Sequence, residues 1–104
     1  MTTPIKEISI ENFNALREVE PQSFQLIDVR NPDENAFGNL QGLLIPLPEL
    51  AKRLDEISRE KDIIVHCQHG VRSAKAAQLL EEAGFKNVWS LQGGYAAWFE
   101  KSVE

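Results

Sequence analysis

With 104 residues, 42 % of them hydrophobic, the chain is long enough for one domain spanning residues 1-104 with a modest core, and it needs no disulfide framework. Sixteen acidic side chains outnumber eleven basic ones, the net charge is -5 and no Lys/Arg run occurs, which argues against nucleic acid or an anionic membrane as partner. The start MTTPIKEIS has no charged segment followed by an apolar one, and no apolar run approaches the ~18 residues that span a bilayer, so a cytoplasmic protein is expected; its single cysteine then stays a free thiol.

Ile5, Ile8 and Ile10 among polar residues predict a short strand, and Glu11 to Val19, with Phe13 and Leu16 in helical register, a short helix. Pro21 ends that helix. Phe24 to Val29 reads as a buried strand closed by Asp28, Arg30, Asn31 and Pro32. Asn31 to Gly42 is Asn/Gly-rich with a helical turn at Asp33 to Phe37, and Leu43 to Leu47 is a short strand closed by Pro46 and Pro48. Leu50, Leu54 and Ile57 mark one face of a surface helix from about Pro48 to Ser58, with Pro48 in its first turn. Ile63 to His66 is the next strand, running directly into Cys67 and a loop, Gln68 to Arg72. The following helix carries Ala76, Leu79, Leu80 and Ala83 on one face and stops at Gly84. Phe85 to Leu91 is the last strand, and Gly93-Gly94 turns the chain into a helical stretch, Tyr95 to Phe99.

Strands alternating with helices indicate an α/β fold, a parallel sheet covered on both faces, in which ligands bind beyond the carboxyl ends of the strands. Asp28, Arg30 and Cys67 all fall at that edge. A lone cysteine is most often a small buried hydrophobe, but Cys67 sits at a strand-to-helix turn, where open N–H groups and the helix dipole favour the thiolate. The amides of Gln68, His69, Gly70, Val71 and Arg72 are placed to ring the sulfur or an anion attached to it, and Gly70 permits the left-handed backbone such a ring needs. Arg72 either binds an incoming anion or ties the loop in place. Ser73 is placed as a helix N-cap. His66 precedes Cys67 on the strand and so points to the opposite face, a core or supporting histidine rather than a base, whereas His69 is placed to touch a substrate or partner. Asp28 reads as a hydrogen-bond anchor more readily than as a general base. One cysteine and two histidines within four positions make a poor zinc site, and no metal or cofactor is expected.

Three ordered motifs carry a family resemblance over about Ile8 to Phe99: LIDVR at Leu26 to Arg30, the loop Cys67-Gln-His-Gly-Val-Arg-Ser73, and Leu91-Gln-Gly-Gly94 with Tyr95 and Trp98. The chain resembles the rhodanese family of sulfurtransferase domains. The resemblance implies a five-stranded, mainly parallel sheet flanked by helices, and a cysteine that accepts sulfane sulfur as a persulfide and passes it to a thiophilic acceptor. It places the persulfide on Cys67 and the stabilising amides in Gln68 to Arg72, while Asp28, Arg30 and Ser73, by their positions, are expected to support the loop. Donors and acceptors of that kind are thiosulfate, persulfides, thiols and cyanide in vitro. The chain departs from the family pattern at Asn39, where a histidine is usual. The wording LIPLPEL at Leu44 to Leu50 is more similar to rhodanese domains fused to enzymes that activate sulfur-carrier proteins, which implies a sulfur-carrier or cysteine desulfurase protein as a separate partner.

Two other functions share these residues. A cysteine loop closed by arginine also resembles the dual-specificity phosphatases of the cell-cycle type, but those enclose five residues between cysteine and arginine, and Cys67 and Arg72 enclose four, a cradle too tight for a phosphoryl group. A protein-interaction or sulfur-relay module with little activity of its own is the other alternative, and it leaves the reactive position of Cys67 unexplained.

Overall fold

Apolar runs bounded by turn residues become five strands: β1 (Lys6–Ile8), β2 (Phe24–Asp28), β3 (Leu43–Leu44), β4 (Asp62–His66) and β5 (Val88–Leu91). Between and after them run α1 (Ile10–Val19), α2 (Pro32–Phe37), α3 (Val71–Glu82) and α4 (Gly94–Ser102), with 3₁₀ turns at Leu47–Lys52 and Leu54–Glu56. The computed structural model describes residues 4–103, so the outer limits expected for the domain, 1 and 104, lie outside the described residues. The strands lie in the order β1-β5-β4-β2-β3 and every pairing is parallel, the α/β sheet that the alternating pattern predicts. No helix among the described residues is long and apolar enough to cross a membrane.

Strand β4 is central, and its period of two divides its side chains between two cores. Ile63, Val65 and Cys67 join Ile27, Val29 and Val88 under Ala76, Ala77 and Leu80 of α3 and under Leu50 and Ile57. On the other face Ile64 packs with Phe24, Leu91, and Ile10 and Phe13 of α1, while Tyr95, Ala97 and Trp98 of α4 cover the remainder. Each fully buried Val, Leu, Ile or Phe among them contributes about 1.5–3 kcal/mol by leaving water. Helix α2 buries none of its residues and stands over the carboxyl edge of the sheet, where its contacts are polar.

Several boundaries differ from the expected ones. Ile10 belongs to α1, because Ser9 caps that helix: its Oγ accepts from the Asn12 amide at 3.1 Å. The expected helix from Pro48 to Ser58 is two 3₁₀ turns. They part at Arg53 (φ -123°, ψ 25°), whose guanidinium grips Glu49, Glu56 and the Leu44 carbonyl. Regular pairing in β3 ends at Leu44: the amides of Ile45 and Leu47 still donate to the carbonyls of Asp28 (2.9 Å) and Val29 (3.1 Å), but the Arg30 amide turns to Asp28 Oδ1 instead of the neighbouring strand. Strand β5 begins only at Val88, because Gly84 and Asn87 take positive φ (93° and 55°) and turn the preceding residues off the sheet. Phe85 in that turn is still buried, with the Arg59 guanidinium 4.0 Å above its ring. Helix α3 starts at Val71, so Val71 and Arg72 are helical rather than loop, and α4 continues past Phe99 to Ser102.

Candidate active site

The chain leaves β4 at His66, and Cys67 follows it at the carboxyl end of the central strand. Gly70 then adopts φ +106°, a left-handed conformation that lets the backbone double back into the first turn of α3. That reversal aims amides at the sulfur. Gly70 N donates to Cys67 Sγ at 3.1 Å and Ser73 N at 3.2 Å, and Ser73 Oγ stands 3.5 Å away. Ser73 is therefore not the N-cap, a position Gly70 holds: its hydroxyl faces the thiol and shares a 2.7 Å hydrogen bond with Ser90 Oγ from β5. Burial pushes the Cys67 thiol up, but the Ser73 hydroxyl and the amides of Ser73, Gly70 and His69 outweigh it and hold the thiol below its ordinary value. These donors shift the balance toward the anionic sulfur in a nearly closed site, where Cys67 is only 1 % exposed.

The loop is fixed from three sides. Tyr95 N and Ala96 N, opening α4, donate to the carbonyls of Cys67 (2.8 Å) and Gln68 (3.0 Å), so a helix start grips the loop backbone. Only glycine serves at Gly94, because a Cβ there would stand 2.6 Å from the Cys67 carbonyl oxygen and φ is +67°. From β2, Asp28 and Arg30 form a buried pair. Asp28 Oδ1 accepts from the Arg30 amide at 2.9 Å and from its Nε at 3.0 Å, while Oδ2 accepts from Nη2 at 2.9 Å. Asn35 Nδ2 adds a further donor to Asp28 at 2.9 Å, and these partners outweigh burial and keep the carboxyl below its ordinary range. Arg30 Nη1 reaches Gln68 Oε1 at 3.0 Å, its Nη2 reaches the Gly38 carbonyl at 2.8 Å, and its plane lies 4.6 Å over the Tyr95 ring. The third side is α2, where Glu34 takes Arg72 in a bidentate pair, Oε1 to Nη1 at 2.8 Å and Oε2 to Nη2 at 2.9 Å.

The remaining candidates divide cleanly. His69 and Val71 are exposed at the rim. His66 is wholly buried on the opposite face from Cys67, its Nε2 3.9 Å from Asp28 Oδ2, and neither ring nitrogen has a hydrogen-bond partner among the described residues. Burial drives its pKa down to about 4 against the pull of Asp28, so it is a neutral imidazole. Asn39 turns back on the backbone, donating to the Asn35 carbonyl at 3.0 Å and accepting from Gln41 N at 2.8 Å, which supports the left-handed Gln41 (φ 67°). Among the described residues no group of three or more His, Cys, Asp or Glu side chains is arranged to hold a metal ion. Sequence reasoning missed Glu34, Asn35 and Ser90. The only local signal for Glu34 is its place three residues after Asn31, whose amide it accepts in a capping box at 2.9 Å.

Comparison with known proteins agrees with this geometry. The Rhodanese-like domain model matches residues 14–101. The thiosulfate sulfurtransferase GlpE of Shewanella oneidensis is 32 % identical over 99 residues, covering 94 % of this chain and 96 % of that protein. The uncharacterized protein YqhL of Bacillus subtilis is 43 % identical over 75 residues, which span 71 % of this chain and 60 % of that one. The crystal structure of a rhodanese-related protein from Thermoplasma volcanium superposes with a TM-score of 0.83 at 30 % identity, covering 92 % of each chain. The family match over nearly the whole chain, the identity to a single-domain relative and the shared five-stranded parallel architecture agree, and the chain belongs to the rhodanese-like domain family.

Proposed function

We propose that this protein is a sulfurtransferase that carries sulfane sulfur on Cys67. The observation that supports it is the pair of amides, Gly70 N and Ser73 N, donating to Cys67 Sγ at 3.1 and 3.2 Å beside the Ser73 hydroxyl. Such donors stabilise a thiolate before reaction and a persulfide anion after it, at no reorganisation cost. The Cys67 thiolate attacks the outer sulfur of a donor such as thiosulfate or an organic persulfide. A sulfur–sulfur bond forms to Cys67, the donor's own sulfur–sulfur bond breaks, and sulfite or a thiolate leaves with the electron pair. An acceptor thiolate, or cyanide in vitro, then attacks the same outer sulfur and Cys67 leaves as thiolate, so two displacements return the enzyme unchanged. His66 takes no part, being neutral and on the other face of the sheet. On this reading the exchange is cytoplasmic and a sulfur-carrier or cysteine desulfurase protein is the partner.

Intact mass after incubation with thiosulfate and, separately, with an organic persulfide tests this reading. A one-sulfur increment is expected in the wild type and is expected to vanish in Cys67→Ala. No increment with either donor sinks the reading.

A further inference from the structure

A groove of about 590 Å³ opens beside the active loop, walled by Glu34 and Phe37 of α2, Gln68 of the loop, Tyr95 and Phe99 of α4, and floored by Arg30. Its size is that of a small-ligand site. Gln68, the residue after Cys67, forms part of its wall, so the groove borders the active loop on the side of α2 and α4. Phe37 is 97 % exposed and Phe99 51 %, leaving aromatic faces to water where a core would have hidden them. A polar anion gains little from such walls; an apolar or ammonium-bearing body gains contact area and cation–π attraction.

The charges beside the loop are already spent. Arg30 is 1 % exposed and its guanidinium is shared among Asp28, Gln68 Oε1 and the Gly38 carbonyl. Both terminal nitrogens of Arg72 are held by the two oxygens of Glu34. Asp33 adds a further carboxylate to the groove wall. Glu34 keeps its charge at any ordinary pH, since the Arg72 hydrogen bonds bring its pKa to about 2. Neither arginine beside the loop offers a free fork to an anion, and the wall around them is acidic and aromatic.

We propose that Glu34 sets the donor specificity of the Cys67 site: by holding Arg72 it makes the site poor for dianionic thiosulfate and directs it to small organic persulfides with an apolar or cationic body, seated against Phe37, Tyr95 and Phe99. This rests on the sulfurtransferase reading and names its substrate class. The step balances without a further reagent: the Cys67 thiolate attacks the outer sulfur of RS–SH, Cys67–S–SH forms, and RS⁻ departs along the groove. Glu34 is a positioning and specificity residue here, acting through Arg72 and through its own field.

The test compares kcat/KM for thiosulfate and for 2-aminoethyl persulfide in the wild type and in Glu34→Gln, each at several ionic strengths. The wild type is expected to favour the persulfide by about tenfold or more, and its thiosulfate rate to rise with salt as like-charge repulsion is screened. In Glu34→Gln the thiosulfate rate is expected to gain about tenfold and to fall with salt, because Arg72 is released toward the donor. Phe37→Ala, at a residue with no core role, is expected to lower persulfide use more than thiosulfate use, and it serves if Glu34→Gln fails to fold. Equal or better use of thiosulfate by the wild type, or the same factor for both donors in each variant, overturns the proposal while leaving sulfur transfer intact. Failure of both donors to load Cys67 removes the sulfurtransferase reading itself.

Discussion

Cys67 and His66 are consecutive residues on opposite faces of one sheet, and both titrate below their ordinary values, for opposite reasons. On the α3 face the amides of Gly70 and Ser73 point at Sγ, so the surroundings favour the charged form of the thiol despite burial. On the α1 face His66 meets no hydrogen-bond partner among the described residues and shares its environment with a carboxylate already claimed by Arg30, so burial favours the neutral form. A reversal of one residue in register would exchange these fates. Burial alone therefore does not tell a reactive group from an inert one; the aim of nearby backbone donors does. One face is built to hold a charge that comes and goes, the other to hold a fixed ion pair.

The fixed pair gives the largest expected effect. Arg30→Ala leaves Asp28, itself 0 % exposed, as an unneutralised carboxylate and cuts the link to Gln68. A loss of about 3–5 kcal/mol in urea unfolding is expected, a large share of the 5–15 kcal/mol typical of such a domain. The double change Asp28→Leu with Arg30→Met is expected to cost much less than Arg30→Ala, because no lone charge remains. A single-variant loss under about 1 kcal/mol would break the contrast between the two faces.

How far the sequence reveals this site follows the range of its interactions. The strand-loop-helix around Cys67, the bend at Gly70 and the alternation of His66 and Cys67 are set by neighbours within a few residues, and apolar runs with turn residues at their ends announce them. The Glu34–Arg72 pair joins residues 38 apart and the Ser73–Ser90 bond residues 17 apart. Such contacts arise only once the parallel crossovers bring α2 and β5 to the same edge, and no periodicity encodes them. Gly93-Gly94 is visible as a turn, but its contact with the Cys67 carbonyl is tertiary. The segment after β3 misleads for another reason. Leu50, Leu54 and Ile57 have α-helical spacing, yet the clamp at Arg53 divides the turn into two 3₁₀ pieces.

His66 supplies the next effect, read as a slope against pH. Its folded pKa is about 4 against 6.5 for the free side chain, so between these values the unfolded chain binds a proton that the folded chain does not. Stability must then rise with pH through this window and be lost as pH falls from about 6.5 to about 4, by roughly 3 kcal/mol in all. Asp28 faces the ring, with the Arg30 and Arg17 charges also acting on it. The carboxylates with lowered values, Glu11, Asp28, Glu34 and Glu56, begin to lose their contribution as pH falls to their ordinary values, 4.5 for Glu and 3.8 for Asp, at the acid end of this window. Urea midpoints measured from pH 4.5 to 7 should show the slope in the wild type and not in His66→Phe, whatever that change does to the plateau. An unchanged slope would mean the imidazole is solvated or paired after all.

The smallest expected stability effect is the sharpest on chemistry. Ser73→Ala removes the hydroxyl nearest Sγ and orphans Ser90 Oγ, itself buried, at a cost of about 1 kcal/mol. The thiol should then titrate higher, because the Ser73 side chain is the largest influence lowering it while burial continues to oppose it. Alkylation of Cys67 by iodoacetamide, followed by mass against pH, should show its rise displaced to higher pH in Ser73→Ala. It should stay in place in His66→Phe, because the sheet separates that ring from the sulfur. If both variants displace the curve, the two faces are coupled through the backbone at the end of β4. If Ser73→Ala leaves it in place, the amides of Gly70 and Ser73 set the thiol by themselves and the hydroxyl pair with Ser90 serves packing alone.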